Sequence, residues 1–584
     1  MTIPAQLSAD VTKALQDILG ESLPAEFKAV VTPSQDLRFG DYQCNAAMML
    51  AKQVRTNPRE LATRVIETMG ESELATAEIA GPGFINFRIK AASYAARMQS
   101  MLHDDRLGVP VAESAKTIVI DFSAPNVAKP MHVGHIRSTI IGDTLARLAR
   151  HMGHTVITDN HIGDWGTQFG MILWGWKHVL KHEELEKDPI EALLAVYKKV
   201  NSMCKEDPAL LADCKAELVK LQSGDAENLD IWKRCIAVTK LGLEKIYDQL
   251  DIRFDYWLGE SFYNDALEPL VNDLLAKGIA RESEGAVCVF SDGFHKPQQD
   301  PFLVSKDGEW LPVPAIIRKA DGGFLYATTD LATLDYRTEH FHADSIWYVV
   351  GAPQEKHFKQ IFDIERMRGV SGDFRHVAFG SILGKDRRPF KTRSGDTVSL
   401  QDVIDEAIER ATRVVEEKSP DMPAEEKERV ARAVGVGAIK FAELSQNRLS
   451  DYIFDWDKML ALTGDTAPYL QNSYVRVRSI FRKLEGDFQA PASISLTEDA
   501  EIHLARLLAR YAEVVPATLD DCRPNLLAAY LYELARAFHS FYEACPVLRS
   551  EGQVQATRLS LCELTARVLK QGMGLLGIQM PDRM

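Results

Sequence analysis

The chain of 584 residues contains no uninterrupted apolar run of the roughly 20 residues needed by a bilayer-crossing helix. Its first residues, "MTIPAQLSAD", have neither the basic start nor the apolar centre of a secretion signal. Both absences point to a cytoplasmic protein with no membrane partner. Cysteine is sparse: Cys44, Cys204, Cys214, Cys235, Cys288, Cys522, Cys545 and Cys562 are scattered, and none forms a Cys-x-x-Cys pair of the kind that anchors structural zinc. They read as reduced core residues, and no zinc is expected. Surplus positive charge is also missing. The 68 lysines and arginines are outnumbered by 83 acidic residues, and the net charge of −15 opposes indiscriminate association with a polyanion such as DNA. A local basic groove is still allowed: Gly384–Arg393 holds five cations against one anion, and Arg476, Arg478, Arg482 and Lys483 form a second cluster.

What is present is the composition of an ordinary globular protein, 46% hydrophobic and 26% charged, without repeats or low-complexity tracts. A chain of this length exceeds one core, so three or more domains are expected. Residues 1–110 read as an α+β module, with an amphipathic helix over Cys44–Val54 and a strand in "GPGFINFRI". From Lys116 short β-branched runs alternate with helical stretches: "TIVIDF", then Thr139–His151, "TVITDN" and Gly166–Leu180. The alternation predicts a parallel sheet with crossover helices over 111–400. A charged helical insertion occupies about 182–245, and further strands are expected at "IRFDYWL" (252–258), "AVCVF" (286–290), "SIWYVV" (345–350) and "HVAFG" (376–380). From 401 to 584 the pattern is helical, broken near 485–495. The fold class is therefore multidomain α/β: a Rossmann-like parallel-sheet core, an N-terminal α+β module and an all-α C-terminal bundle.

The run "IDFSAPNVAKPMHVGHIRSTIIGD" places an apolar strand, a polar turn with two prolines and a helix within about two dozen residues. Ligands of open α/β sheets sit beyond the strand C-termini, where a helix N-terminus offers free N–H groups to phosphate. His132 and His135 are three apart and share a helical face. Gly134 removes a side chain where a flat ring could approach the backbone.

The same run resembles the "HIGH" signature of class I aminoacyl-tRNA synthetases, in the long form of the arginyl-tRNA synthetases. The signature region comprises Ala124, Pro125, Asn126, Val127, Ala128, Lys129, Pro130, Met131, His132, Val133, Gly134 and His135. The resemblance covers nearly the whole chain: "FGDYQCNAAMMLAK" and "GPGFINFRI" resemble the family's N-terminal domain, "DNHIGDWGTQFG" its catalytic core, and "LARAFHSFYEACPVL" its anticodon-binding bundle. It implies ATP as a substrate, with Mg²⁺ accompanying it, and arginine and tRNA(Arg) as partners of a monomer. It also implies that His132 and His135 contact ATP, with Gly134 beside them, and stabilise the charge that develops as a carboxylate attacks the α-phosphate. Lys129, just before the helix, would supply a further charge.

Two departures stand out. The family's second signature, "KMSKS", is absent; "GSILGKDRRPFKTRSG" (380–395) takes its place, and Lys391 in "FKTR" is favoured over Lys385 as the ATP-binding lysine that shares pyrophosphate with Lys129. Ala124 stands where many members have serine, which removes a possible substrate hydrogen bond.

A guanidinium is planar, permanently charged and rich in donors, so its pocket needs carboxylates in bidentate reach. "GGFLYATTDLAT" supplies Tyr326 and Asp330, four apart and on one face if a helix begins near Tyr326. The string resembles the family's "YxTxD" motif, in which both residues line the arginine pocket. By the same matching Asn126 would hold the α-amino or carboxylate group and Gln354 would border the site, with Glu260 as a second carboxylate. A pocket that selects a hydrogen-bonding side chain rejects apolar analogues at the binding step, so no editing domain is expected. Aromatics mixed with cations at 464–483 and 530–548 suit single-stranded anticodon bases.

Overall fold

The computed structural model describes every residue except Pro130, Lys385, 389–397 and Glu485, and the side chains of all described residues but Thr167 and His182. The N-terminal module opens with α1 (Ile3–Leu19), capped by the Thr2 hydroxyl and burying Leu7, Val11, Ala14 and Leu15 at helical spacing. It continues through β1 (Val31–Pro33), β2 (Tyr42–Cys44), α2 (Ala46–Ala51), α3 (Pro58–Met69), β3 (Ala75–Ala80), β4 (Phe84–Ile89) and α4 (Ala91–Leu102). The strands form an antiparallel sheet in the order β1-β2-β4-β3. The helix expected over Cys44–Val54 is shorter than predicted: Cys44 belongs to β2, paired with Val31 and Ile85, and the regular helix spans six residues.

The middle of the chain contains β5 (Thr117–Asp121), α5 (Ile136–His151), β6 (Thr155–Asp159) and α6 (Thr167–His178). Four helices form the insertion: α7 (His182–Lys187), α8 (Pro189–Glu206), α9 (Pro208–Gln222) and α10 (Ala226–Gln249). Then come α11 (Asn264–Ala276), β7 (Ala280–Ser283), β8 (Ala286–Val289), β9 (Leu303–Lys306), β10 (Glu309–Pro312), β11 (Ala315–Arg318), α12 (Tyr326–Glu339), β12 (Ser345–Tyr348), α13 (Glu355–Arg368), β13 (Asp373–His376) and β14 (Ile382–Leu383). The parallel sheet runs β13-β12-β5-β6. Alternation along β5 and β12 sends Ile118, Ile120 and Trp347 into one core with α5 and the C-terminal helices. Val119, Ile346 and Tyr348 face a second core with α11, α12 and α13.

Three expectations need correction. "IRFDYWL" is not a strand: only Tyr256 bridges Asp159, because the Asp255 carboxylate takes the Thr158 N–H at 2.8 Å and ends the ladder. "AVCVF" yields β8, but in a separate antiparallel sheet ordered β11-β8-β7. "HVAFG" begins where β13 ends, and beyond His376 only a Gly351–Phe379 bridge continues the pairing.

The last third comprises α14 (Leu400–Lys418), α15 (Ala424–Leu444), β15 (Tyr452–Ile453), α16 (Trp456–Met459), α17 (Ala467–Arg482), α18 (Asp499–Asp520), α19 (Pro524–Ala544) and α20 (Gly552–Leu575). β15 pairs in parallel with β14 in a separate two-stranded sheet, so one short strand of this helical region is joined to a strand of the middle one.

Candidate active site at a strand-to-helix turn

β5 ends at Asp121 and α5 begins at Ile136, three residues before the helix start predicted at Thr139. The connection between them is strained. Ser123, Ala124 and Ala128 all have left-handed φ, at 74°, 45° and 57°, a conformation that costs side-chain-bearing residues energy and persists only when surroundings hold it. The holding groups are identifiable. Ser123 N–H donates to Ser138 Oγ at 2.8 Å, and that hydroxyl donates to the Val349 carbonyl at 2.6 Å. Ser123 Oγ lies 2.8 Å from Thr139 Oγ1 and 2.7 Å from the Tyr247 hydroxyl. Ala124 N–H donates to Asn160 Oδ1, whose Nδ2 reaches Tyr247.

The "RSTIIGD" string after the histidines thus anchors the turn. Ser138 and Thr139 hold Ser123, and Gly142 leaves room for the Phe122 ring, which a Cβ would meet at 2.2 Å. Arg137 turns inward to Glu443.

His132 caps a short helical turn, Val133–His135. Its Nδ1 accepts the Gly134 N–H at 3.1 Å, while the His132 N–H donates to His135 Nδ1 at 3.2 Å. The rings lie 4.0 Å apart. With both Nδ1 atoms accepting, each neutral ring carries its hydrogen on Nε2. Burial, with Lys129 second, lowers the His132 pKa. Burial and the neighbouring His132 push His135 down to about 4. At neutral pH the pair is therefore two uncharged donors. The space a side chain at Gly134 would need is filled by the His132 ring, 2.8 Å from an added Cβ.

Lys129 lies with Nζ 4.7 Å above the Tyr197 ring of α8 and close enough to act on His132. Asn126 is exposed and bridges Gly163. Its Oδ1 accepts from Gln168 Nε2 at 2.9 Å, which leaves the Asn126 amide Nδ2 to donate elsewhere. Ala124 is exposed at the turn. Pro130, Lys385 and Lys391 fall outside the described residues.

Asp330 and Tyr326 occupy the first turns of α12, which begins at Tyr326 and so meets the condition for the two to share a face. Glu260 starts a short turn before α11. Burial raises the Glu260 pKa, His161 opposes the rise, and Asp164 and Asp330 add to it, so the structure brings Glu260 and Asp330 within electrostatic reach. Gln354 is exposed on the turn leading into α13. Beneath lies Arg337, fully buried, donating to Asp121 and Asp159 at 2.7 and 2.8 Å and so joining the ends of β5 and β6.

Three side chains that contact or face these groups were passed over in the sequence. His357 meets Asp330, Gln168 holds Asn126, and His161 faces Glu260 and Asp164. His161 and Gln168 both lie in "DNHIGDWGTQFG"; only their pairing was invisible. Among the described residues no group of three His, Cys, Asp or Glu side chains is arranged to hold a metal.

On the C-terminal bundle, Tyr469 of α17 lies 5.4 Å from Tyr532 of α19 and 5.7 Å from His539, with Arg536 over Tyr532 and Arg476 on His539. The remaining cations of the 476–483 cluster are partly committed, Arg478 to Glu563 and Arg482 to the Asp582 carbonyl.

Three family models match successive parts of the chain. The family "Arginyl tRNA synthetase N terminal domain" matches residues 5–89, "tRNA synthetases class I (R), catalytic domain" matches 97–456, and "DALR anticodon binding domain" matches 470–584. Arginine–tRNA ligases of Salmonella heidelberg and Salmonella arizonae are each 45% identical over 593 aligned residues, covering 100% of both chains. The crystal structure of arginyl-tRNA synthetase from Plasmodium falciparum matches with a TM-score of 0.83 at 28% identity, covering 100% of each chain. That of the Thermus thermophilus arginyl-tRNA synthetase matches at 0.81 with 23% identity and full coverage, a likeness of fold. With all three domains in order and full-length identity well above chance, the chain belongs to the arginyl-tRNA synthetase family.

Proposed function

We propose that this protein attaches arginine to tRNA(Arg) at the expense of ATP, for protein synthesis. The observation that carries the reading is the His132–His135 pair: two uncharged imidazoles at a strand-to-helix turn, each with only Nε2 free to donate. The arginine carboxylate attacks the α-phosphorus of ATP, the bond to the β-phosphate breaks, and pyrophosphate leaves with arginyl-adenylate formed. A tRNA hydroxyl then attacks the activated carbonyl, the bond to AMP breaks, and the hydroxyl proton passes to solvent.

The Nε2 hydrogens stabilise charge that grows on phosphate oxygens, and neutral donors do so without binding ground-state phosphate too tightly. Lys129, together with Lys391 or Lys385, neutralises pyrophosphate. Mg²⁺ arrives as the counter-ion of ATP, and no step here depends on protein ligands to it. Asp330 and Glu260 receive the guanidinium beside Tyr326, Asn126 donates to the amino-acid head group, and Gln354 borders the pocket. The tyrosine, histidine and arginine cluster between α17 and α19 serves anticodon bases. A monomer in the cytoplasm, divided near residues 110 and 400, completes the reading; no described helix is long and apolar enough to cross a membrane.

ATP–pyrophosphate exchange with each amino acid, with and without tRNA(Arg), tests it. Exchange is expected with arginine and only when tRNA is present. Exchange with another amino acid would overturn the specificity, and silence under every condition would make this a non-catalytic relative.

A further inference from the structure

The imidazole of His357 touches two residues of the arginine pocket at once. It stands on α13, three residues after Gln354, and its Nε2 lies 2.5 Å from Asp330 Oδ2 on the neighbouring α12. Its ring also packs edge-on to Tyr326, centroids 4.7 Å apart and planes at 63°. The two hydrogen-bonded side chains are 11% and 18% exposed, sheltered enough for the bond to matter, whereas Tyr326 is 60% exposed and leans on the imidazole from the solvent side. An ionised carboxylate only accepts, so the hydrogen of this bond is on His357 Nε2.

From this geometry we propose that His357 is a positioning residue for arginine recognition. A bidentate guanidinium requires a carboxylate held in one plane, and an aspartate free to rotate about its side-chain bonds loses part of that binding. His357 ties up one oxygen, Oδ2, and thereby orients Oδ1 and the remaining lone pair of Oδ2 toward the pocket. By bracing Tyr326 as well, it sets two pocket residues relative to one another. Arginine is thus recognised by a carboxylate whose direction is fixed from α13, not from its own helix.

The inference rests on Asp330 being a guanidinium ligand, and the test separates the two. Steady-state aminoacylation of tRNA(Arg) by the full-length enzyme gives apparent KM values for arginine and ATP for His357→Phe, which keeps a ring without the donor, for His357→Gln, which keeps a donor at similar reach, and for Asp330→Asn. His357→Phe should raise the KM for arginine about tenfold. The KM for ATP and the melting temperature should stay near wild type, and His357→Gln should return to within roughly threefold of wild type. In an Asp330→Asn background His357→Phe should add nothing further, because the group it orients is gone.

If Asp330→Asn raises the arginine KM and His357→Phe does not, the positioning role is wrong and the pocket stands. If Phe is tolerated and Gln is not, the ring packing acts and not the hydrogen bond, which also overturns the proposal. A joint rise in both KM values with a lower melting temperature would reduce His357 to a brace between helices. An arginine KM unchanged in Asp330→Asn would remove the pocket reading itself.

Discussion

Arg137 Nε donates to Glu443 Oε1 at 2.5 Å, and the two side chains are 1% and 0% exposed. Arg137 is two residues beyond His135 on α5, while Glu443 is near the end of α15, 306 positions later in the chain. The guanidinium also donates to the Ser450 carbonyl at 2.9 Å and lies 5.3 Å from the Tyr452 ring of β15. Because β15 pairs with β14, one buried cation connects the helix that follows the histidine pair to the β14–β15 strand pair.

Removing one member of a buried pair leaves an uncompensated charge in the core, at a cost of about 3–5 kcal/mol. Arg137→Met is expected to lower the melting temperature by several degrees, seen by calorimetry. The combination with Glu443→Leu should recover part of the loss, since an apolar pair of similar volume restores packing without a stranded carboxylate. A single variant as stable as wild type would show that the pair contributes little.

Gly134→Ala places a Cβ 2.8 Å from the His132 ring, so the ring must move. Displacing a catalytic donor by about 1 Å can cost up to a hundredfold in rate. Aminoacylation kinetics should show kcat falling between tenfold and that limit, while circular dichroism and melting temperature stay unchanged, because residue 134 is exposed.

The depressed pKa of His135, about 4 in the folded chain against 6.5 for a free imidazole, has a definite pH signature. As pH falls below about 6.5 the unfolded chain takes up the proton and the folded chain does not, so stability present above that pH is lost toward pH 4 and levels off below it. Between pH 7 and 5 the loss from this residue is about 2 kcal/mol. His135→Asn keeps an acceptor for the His132 N–H without the titration. Its melting temperature should therefore fall less than that of wild type over the same interval; parallel falls would show that His135 is not the group responsible.

Gln168→Ala frees the amide of Asn126 to rotate. If Asn126 receives the head group of arginine, the arginine KM should rise roughly three- to tenfold while that for ATP is unchanged, reflecting one lost orienting hydrogen bond. Initial-rate measurements at varied arginine decide this. Equal changes in both constants would assign the pair to general packing of the turn.

Much of this molecule is legible along the chain. Apolar, β-branched "TIVID" makes β5, and "YATTD" begins a helix at Tyr326. The charged insertion is helical throughout α7–α10. These outcomes depend on interactions within a few residues, which composition and periodicity describe directly. "IRFDYWL" fails for a nonlocal reason. It has the composition of a strand, and whether it enters the ladder was decided by the Asp255 carboxylate competing for the Thr158 N–H.

The candidate site divides in the same way. The histidine pair, Lys129, Asn126 and the "YATTD" pair stand out from the sequence because their spacing and neighbours are distinctive within short windows. That Ser138 and Thr139 anchor a strained turn, that Gly134 yields to an imidazole, and that Arg137 reaches Glu443 are facts of packing. So is the meeting of His357 with Asp330 across two helices. The sequence alone determined most of the elements and marked the residues proposed to carry chemistry, since those follow from local propensity and side-chain type. Only the tertiary structure decided which charges pair and in which direction each donor points, because burial and hydrogen bonding join groups hundreds of residues apart.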